Sequence, residues 1–279
     1  MRNLTQDTLI EPSTKRSFFV DLRELWLFRE LFYFFAWRDI KVRYKQTSLG
    51  IGWAILQPAL AALIFTVFFN RVVGISSGAA NIPYPVFAYL GLMYWTCFAV
   101  GMNTISNSLT SNAGVITKVY FPRLIPPIAA MALAVVDFFF AAAVFVLILL
   151  AFQVVPGWEG IFLAFPSLLL IIVSALGIGI FFAALNVKYR DVRSVLPLLT
   201  QLMLFVTPII YPIGLIPESF RMLAYLNPVT GAISSVKAGF FHQPVEWTGL
   251  AISWASAIII MVIAIWYFKR TEKNFVDVI

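Results

Sequence analysis

Six long apolar stretches, separated by shorter polar segments, dominate the pattern of hydrophobic and polar positions along the chain. A bilayer core about 30 Å thick is crossed by roughly 20 apolar residues in a helix. Because lipid offers the backbone no hydrogen-bond partners, each stretch must satisfy its own and is predicted to be an α-helix. The six predicted spans are residues 51–69, 86–105, 124–152, 161–185, 196–213 and 250–268.

The composition supports the same fold class. Hydrophobic residues make up 61% of the 279 residues and charged residues 12%, with a mean hydropathy of +0.89, whereas soluble domains have about 45–50% and about 25%. The prediction is an all-α integral membrane protein. The net charge of +7 does not indicate nucleic-acid binding, because the basic residues are scattered among apolar spans. Cys97 is the only cysteine, so no internal disulfide is expected.

The Lys and Arg residues lie mainly in alternate connections. Of the 20 in the chain, only Arg71, Arg221 and Lys237 lie in the connections on the other side. The rest lie in residues 1–50, 111–123, 186–193 and 269–279. Basic connections stay in the cytoplasm, so both termini are predicted to be cytoplasmic.

We expect one membrane domain over residues 1–279, because the sequence has no obvious internal repeat. Its expected parts are a cytoplasmic tail with an interface helix (1–50), spans one to five (51–213), outer helices (214–249), span six (250–268) and a cytoplasmic tail (269–279).

Residues 21–50 mix basic and aromatic side chains, which suits a helix at the bilayer surface. Residues 31–37 are apolar or aromatic on all sides, so part of this helix should pack against other spans or a second copy. The basic half is expected to orient the chain and to meet a pyrophosphate headgroup or an ATPase at the cytoplasmic entrance. Its cations are Arg38, Lys41, Arg43 and Lys45.

The fifth span contains three prolines, Pro197, Pro208 and Pro212. Each removes a backbone donor and bends the helix, so the outer end should be kinked or interrupted. A gating role and an ordinary proline kink are both compatible with this pattern.

Residues 217–247, between the fifth and sixth spans, should contain a short amphipathic helix near the outer surface. Ser234, Ser235 and Lys237 lie outside its apolar stripe. The helix start and stripe are Asn227, Pro228, Val229, Ile233, Val236 and Phe240. The helix could act as an outer gate or as a passive interfacial cap.

Asp137 is a carboxylate well inside an apolar span. A charged Asp at the bilayer centre costs at least about 2.5–3.5 kcal/mol, so it should face the bundle interior, pair with a cation or be protonated. Proton relays usually need several such groups. A structural hydrogen bond and a transport role are the two alternatives.

Aromatic residues of the first two spans could line a pathway, since flat rings stack on the C–H faces of sugars. These candidate conduit aromatics are Phe65, Phe68, Phe69, Tyr89, Tyr94 and Trp95. The alternative is that the rings pack in the core or anchor the helices at the bilayer interface.

The connector over residues 111–123 has an apolar and aromatic side that water would not favour. A partner or a membrane surface should therefore cover it, or it should be buried against the first helix of this chain. Its candidate contact residues are Ile116, Lys118, Tyr120, Phe121 and Arg123.

No Gly-x-x-x-x-Gly-Lys-[Ser/Thr] loop occurs in the sequence, so any coupling to ATP must come from another polypeptide. The one histidine, His242, is interpreted as a surface residue, and no metal or other cofactor is expected in this chain.

Six segments in order resemble the permease subunits of ABC-2 type exporters for polysaccharide and polyol phosphate, the group that handles O-antigen and teichoic acid. They are residues 38–50, 103–123, 186–193, 207–212, 226–231 and 268–279.

The resemblance implies a homodimer with two ABC ATPase subunits, which bind ATP and Mg²⁺. It also implies an amphipathic interface helix over residues 21–45, a coupling helix over residues 114–123, a conduit lined by spans one and five, and outer gate helices over 217–247. The implied substrate is an undecaprenyl-type lipid-linked glycan, exported across the bacterial inner membrane.

The expected function is thus the membrane-spanning subunit of an ATP-driven polysaccharide exporter, not an enzyme. One alternative is an integral membrane transferase for lipid-linked sugars, which would need carboxylates clustered at one membrane face. Another is an ion channel, which would conduct without an ATPase.

Overall fold

The computed structural model describes residues 22–45, 52–74, 76–78, 82–189, 191–272 and 275, which fold as a bundle of helices. Two helices precede the bundle, α1 (Leu22–Leu27) and α2 (Arg29–Lys45). The remaining helices are α3 (Gly52–Phe65, continued in π-helical geometry over Thr66–Val72), α4 (Tyr84–Ser111), α5 (Ala113–Ile116), α6 (Ile125–Ala151), α7 (Trp158–Lys188), α8 (Val192–Val206), a 3₁₀ turn (Ile213–Leu215), α9 (Glu218–Tyr225), α10 (Pro228–Phe240) and α11 (Trp247–Thr271).

Five helices in the described part of the chain are long and apolar enough to cross a membrane. They are Ile55–Val72, Tyr84–Ser111, Ile125–Ala151, Trp158–Lys188 and Trp247–Thr271. They correspond to five of the six predicted spans, and the all-α membrane fold is confirmed.

The predicted span over residues 196–213 differs from the structure. Its helix, α8, has 15 residues and ends at Val206, and Thr207 is already extended. Pro208 explains the end, since a proline disfavours helical geometry at the preceding residue and has no amide hydrogen. The interruption predicted from the prolines is thus confirmed, and it falls before Pro208 and Pro212.

Helix α4 lies at the centre of the bundle and packs against α6 and α7. Pro83 and Pro85 flank its first residue, a favourable position because the first turn needs no amide donors. Large side chains such as Tyr89, Phe98 and Met102 are almost fully buried along it. Helices α10 and α11 pack against α7, and α10 also contacts α4.

The interface helix predicted over residues 21–45 consists of α1 and α2, and α2 packs along α6. Phe35 and Ala36 are buried, whereas Tyr33, Phe34 and Trp37 are more than half exposed. The expectation that part of this helix packs against other spans is confirmed, and the exposed rings remain available to a membrane.

Candidate functional site

A groove of about 430 Å³ runs between α2, α3, α4 and α8. Its wall is mainly apolar but includes amides, hydroxyls and one cation at places where spanning helices are otherwise apolar. The polar and aromatic side chains that line it are Arg43, Gln57, Trp95, Asn103, Thr104, Thr200 and Gln201.

The polar groups of the groove are only partly used by the protein. The Asn103 side-chain nitrogen donates to the Ala99 carbonyl at 2.8 Å and to the Thr200 hydroxyl at 3.4 Å. Gln57 and Gln201 are exposed. Polar side chains in spanning helices rarely face lipid, so this surface is suited to water, a hydroxyl-rich ligand or another subunit.

Asp137 lies beside this groove and holds two residues of α2. One of its carboxylate oxygens is 2.9 Å from the Arg43 guanidinium, and the other accepts a short hydrogen bond from the Tyr44 hydroxyl. Its side chain is only 5% exposed. Burial and the neighbouring carboxylate raise the pKa of Tyr44, so its hydroxyl remains a donor. Pairing with a cation, one expectation for Asp137, is confirmed.

The other three predicted entrance cations have different surroundings. Arg38 pairs with Asp39 at 2.7 Å and lies over the Phe35 ring. Lys41 and Lys45 are exposed. Of the four predicted entrance cations, therefore, Arg43 is the one that lines the groove.

The connector after α4 divides into a buried and an exposed part. Ile116 and Phe121 are 5% and 4% exposed, and the Phe121 ring is 5.8 Å from that of Phe35. Lys118 and Tyr120 are exposed. Thus Phe121 follows the alternative of burial against the chain's own N-terminal helix, while Lys118 and Tyr120 are free to contact a partner.

The expected coupling helix over residues 114–123 is much shorter in the structure. Helix α5 ends at Ile116, and turns and irregular backbone lead from there to Leu124. Arg123 fixes the end of the connector, because its guanidinium donates a short hydrogen bond to the Glu272 backbone carbonyl after α11. The connector is therefore braced by α2 on one side and by the C-terminal segment on the other.

Of the predicted conduit aromatics on α4, two are buried in the core and one lines the groove. Tyr89 and Tyr94 are each 1% exposed, and their hydroxyls donate to the Ala141 and Ala164 carbonyls. They lie in the core, as the alternative interpretation held, and do not face the groove. Trp95 lines it.

The three phenylalanines of the first span lie on its outer part. Phe65 and Phe69 are partly buried with ring centroids 5.6 Å apart, and Phe68 is 60% exposed. They do not line the groove.

At the opposite end of the bundle, side chains of other helices hold the broken end of α8. The Tyr84 hydroxyl donates to the Ile210 carbonyl at 2.6 Å, and the Lys237 ammonium donates to the Ile209 carbonyl. Asn227 donates to the Thr207 hydroxyl at 2.8 Å. These bonds satisfy polar groups of a non-helical backbone, which an apolar environment requires.

Helix α10 confirms the helix predicted to begin at Asn227-Pro228. The Asn227 side chain caps it by accepting from the Val229 amide at 3.1 Å, and Pro228 is buried in its first turn. The apolar stripe is buried against other helices rather than presented to lipid or solvent. Its residues Val229, Ile233, Val236 and Phe240 are at most 9% exposed.

Lys237 was expected on the polar face of α10, but it is only 4% exposed. Its ammonium lies 3.6 Å from the centroid of the Phe87 ring. Gly91 makes the room, because a Cβ there would come within 2.7 Å of the Lys237 nitrogen. Burial lowers the pKa of this ammonium, since desolvation disfavours its charged form.

Several residues of the site were missed from the sequence: Tyr44, Gln57, Tyr84, Asn103, Thr200 and Gln201. A usable signal exists for four of them, because amides and hydroxyls inside apolar spans usually face a bundle interior or an aqueous cavity. The roles of Tyr44 and Tyr84 depend on contacts that join residues 93 and 126 positions apart.

Comparison with known proteins relates this geometry to exporters. The O-antigen export system permease protein RfbA of Klebsiella pneumoniae is 28% identical over 244 residues, which cover 87% of this chain and 92% of the relative. The protein of that name in Myxococcus xanthus is 28% identical over 261 residues, covering 92% and 98%.

The polysialic acid transport protein KpsM of Escherichia coli is 26% identical over 223 residues, covering 77% of this chain and 84% of the relative. The family model for ABC-2 type transporters matches residues 30–241, a range that runs from α2 to the end of α10 and includes every wall of the groove. The chain is a multi-pass membrane protein that belongs to the ABC-2 type transporter family.

Proposed function

We propose that this chain is the membrane-spanning subunit of an ATP-driven exporter that moves a lipid-linked polysaccharide from the cytoplasm across the cytoplasmic membrane. The observation that carries the proposal is the groove, where amides and hydroxyls line otherwise apolar helices and the Gln57 and Gln201 amides are exposed. Such a wall suits a hydroxyl-rich chain, which exchanges its hydrogen bonds with water for bonds with the protein. The relatives named for O-antigen export and polysialic acid transport support this class of substrate.

Two copies of the chain form the conduit in this proposal. Gln57 on α3 and Gln201 on α8 are exposed in one copy, although both lie on apolar helices. The exposed side chains around them are large and apolar, including Leu60, Leu63, Leu198 and Leu202. A second copy packed against α3 and α8 would cover these apolar side chains and leave the polar ones facing a shared channel.

Energy comes from a separate pair of ABC ATPase subunits, which bind ATP and Mg²⁺. The sequence has no phosphate-binding loop of its own. The proposed ATPase contacts are the exposed Lys118 and Tyr120 of the connector. Ile116, Phe121 and Arg123 hold the connector against the rest of the chain. The excess of Lys and Arg on this side supports a cytoplasmic location for the connector and both termini.

The substrate enters from the cytoplasmic leaflet, where an undecaprenyl-type pyrophosphate carrier would meet the cations of α2. Arg43 is closest to the groove, and Arg38, Lys41 and Lys45 provide a positive surface beside it. Cations near anionic lipid groups contribute about 1 kcal/mol each. Residues Asn227, Pro228, Ile233, Val236 and Phe240 form the packed α10 element that closes the outer end in this proposal.

Reconstitution tests the proposal. The chain and its ABC ATPase are placed in proteoliposomes that contain a lipid-linked glycan, and the glycan reaching the opposite face is measured with and without ATP. We expect ATP-dependent translocation, and we expect Lys118→Ala with Tyr120→Ala to reduce it at least tenfold while the protein remains folded. Lys188→Ala, an exposed change at the end of α7, is the control.

Glycan transfer without nucleotide hydrolysis would support the transferase alternative, and ion conductance without an ATPase would support the channel. Translocation that is unaffected by the Lys118 and Tyr120 changes would refute the coupling assignment.

A further inference from the structure

A second cavity, of about 470 Å³, lies at the end of the bundle opposite the connector. Its walls come from the segment before α4, the first turn of α4, the segment after α8, the end of α9, helix α10 and the segment before α11. This volume is within the range of about 300–1,000 Å³ that is typical of small-molecule sites. Gly78, Gly214 and Pro244 on its wall are exposed, so the cavity communicates with the surface.

The lining combines the groups that proteins use to bind sugars. It contains aromatic rings, hydroxyls, an amide and both kinds of charge, among them Tyr211, Tyr225, Ser234, Gln243, Glu246 and Lys237. Aromatic faces contact the C–H surface of a sugar ring, and amides, hydroxyls and carboxylates bond to its hydroxyl groups.

The charges in this cavity are not balanced. Glu246 is paired with Arg221 at 3.4 Å. Among the described residues Lys237 forms no ion pair with a carboxylate, and its ammonium contacts the Ile209 carbonyl and the Phe87 ring. A buried charge without a counterion is costly. An anionic group in the cavity would offset that cost.

We propose that this cavity binds a saccharide unit that carries a negative charge, with Lys237 contacting the carboxylate or phosphate and the tyrosine rings contacting the sugar. The proposal deepens the proposed function, since it places a saccharide site at the outer end of the exporter. Lys237 would then have two roles, because its ammonium also donates a hydrogen bond to the Ile209 carbonyl in the interrupted segment after α8. A bound anion would thus contact a residue that supports the outer end of the bundle.

Glucuronate and glucose are the matched probes, because they differ only in the carboxylate. Each is titrated against the purified full-length chain in detergent, and binding is followed by ligand-observed NMR. We expect saturable binding of glucuronate that is about tenfold or more tighter than that of glucose, the difference expected for one charge-assisted contact.

Two variants and one control complete the test. Lys237→Met should remove the preference for glucuronate, and Ser234→Phe, which fills the cavity but keeps the lysine, should weaken both probes at least tenfold. Lys188→Met removes an exposed cation at the C-terminal end of α7 and should leave the affinity for both sugars unchanged. Melting temperatures show which variants are folded.

No saturable binding of either sugar, or glucuronate binding that survives both Lys237→Met and Ser234→Phe, would overturn the proposal. Binding by the isolated chain needs neither ATP nor the ATPase. Its failure would therefore leave the export proposal intact, and a failure of export would leave this site intact.

Discussion

The ion pair between Arg43 and Asp137 gives the sharpest test of how the interface helix is held to the bundle. The two side chains differ in exposure, 30% for Arg43 and 5% for Asp137. Removing one partner of a buried pair is costly because the other charge stays buried and unpaired. The cost should therefore depend on which partner is removed.

Arg43→Gln leaves the nearly buried carboxylate with only the Tyr44 hydroxyl as a partner, so we expect a loss of about 3 kcal/mol in the free energy of unfolding. Asp137→Asn leaves Arg43 partly hydrated, and the amide oxygen of the new asparagine still accepts from Tyr44. The free energy of unfolding should therefore fall by about 1 kcal/mol. The double variant has no orphaned charge and should lose about 1 kcal/mol, which gives a coupling energy of about 2–3 kcal/mol.

Thermal unfolding of the purified chain in one detergent measures these differences. At about 2 °C per kcal/mol for a chain of this size, Arg43→Gln should melt roughly 6 °C lower and the double variant roughly 2 °C lower. Arg38→Gln is the control, because the Arg38–Asp39 pair is about one-third exposed on both sides and should matter by less than about 1 kcal/mol. Equal and additive losses for Arg43→Gln and Asp137→Asn would refute the reasoning.

Two further changes test the packing of α10. Gly160→Ala would place a Cβ 2.3 Å from the Phe240 amide nitrogen and should destabilise the fold by about 1–3 kcal/mol, whereas Gly114→Ala meets nothing within 4 Å; equal melting temperatures would contradict the close approach of α7 and α10. Asn227→Ala removes the cap and the bond to Thr207 and should cost about 1–3 kcal/mol in thermal unfolding. Asn227→Asp keeps the cap acceptor and should cost less, and the reverse order would contradict the capping role.

The all-helical membrane fold was predictable from the sequence because hydropathy reports directly on helices that must cross lipid. The break in the fifth span was predictable for an equally local reason, since Pro208 and Pro212 act on the residues next to them. The end of α8 at Val206, rather than at residue 213, follows from the same rule applied to the first of these two prolines.

Burial was harder to predict from the sequence for aromatic side chains that can lie either in the core or on the wall of the groove. Tyr89, Tyr94 and Trp95 are all aromatic residues of the same predicted span. Tyr89 and Tyr94 nevertheless lie in the core, whereas Trp95 lines the groove. Which face of α4 meets α6 and α7 depends on the packing of three helices, and the central position of α4 leaves little of its surface free.

Polar contacts between residues far apart in the sequence were the hardest feature to predict. The cost of a charge in lipid predicts that Asp137 needs a partner, but it does not select among the cations of the chain. Helix α2 packs along α6, and that packing brings both Arg43 and Tyr44 to the carboxylate. The same helix contacts Phe121 of the connector through Phe35. The connector and the buried carboxylate both contact the same helix, and a displacement of either must move α2 or break one of these contacts.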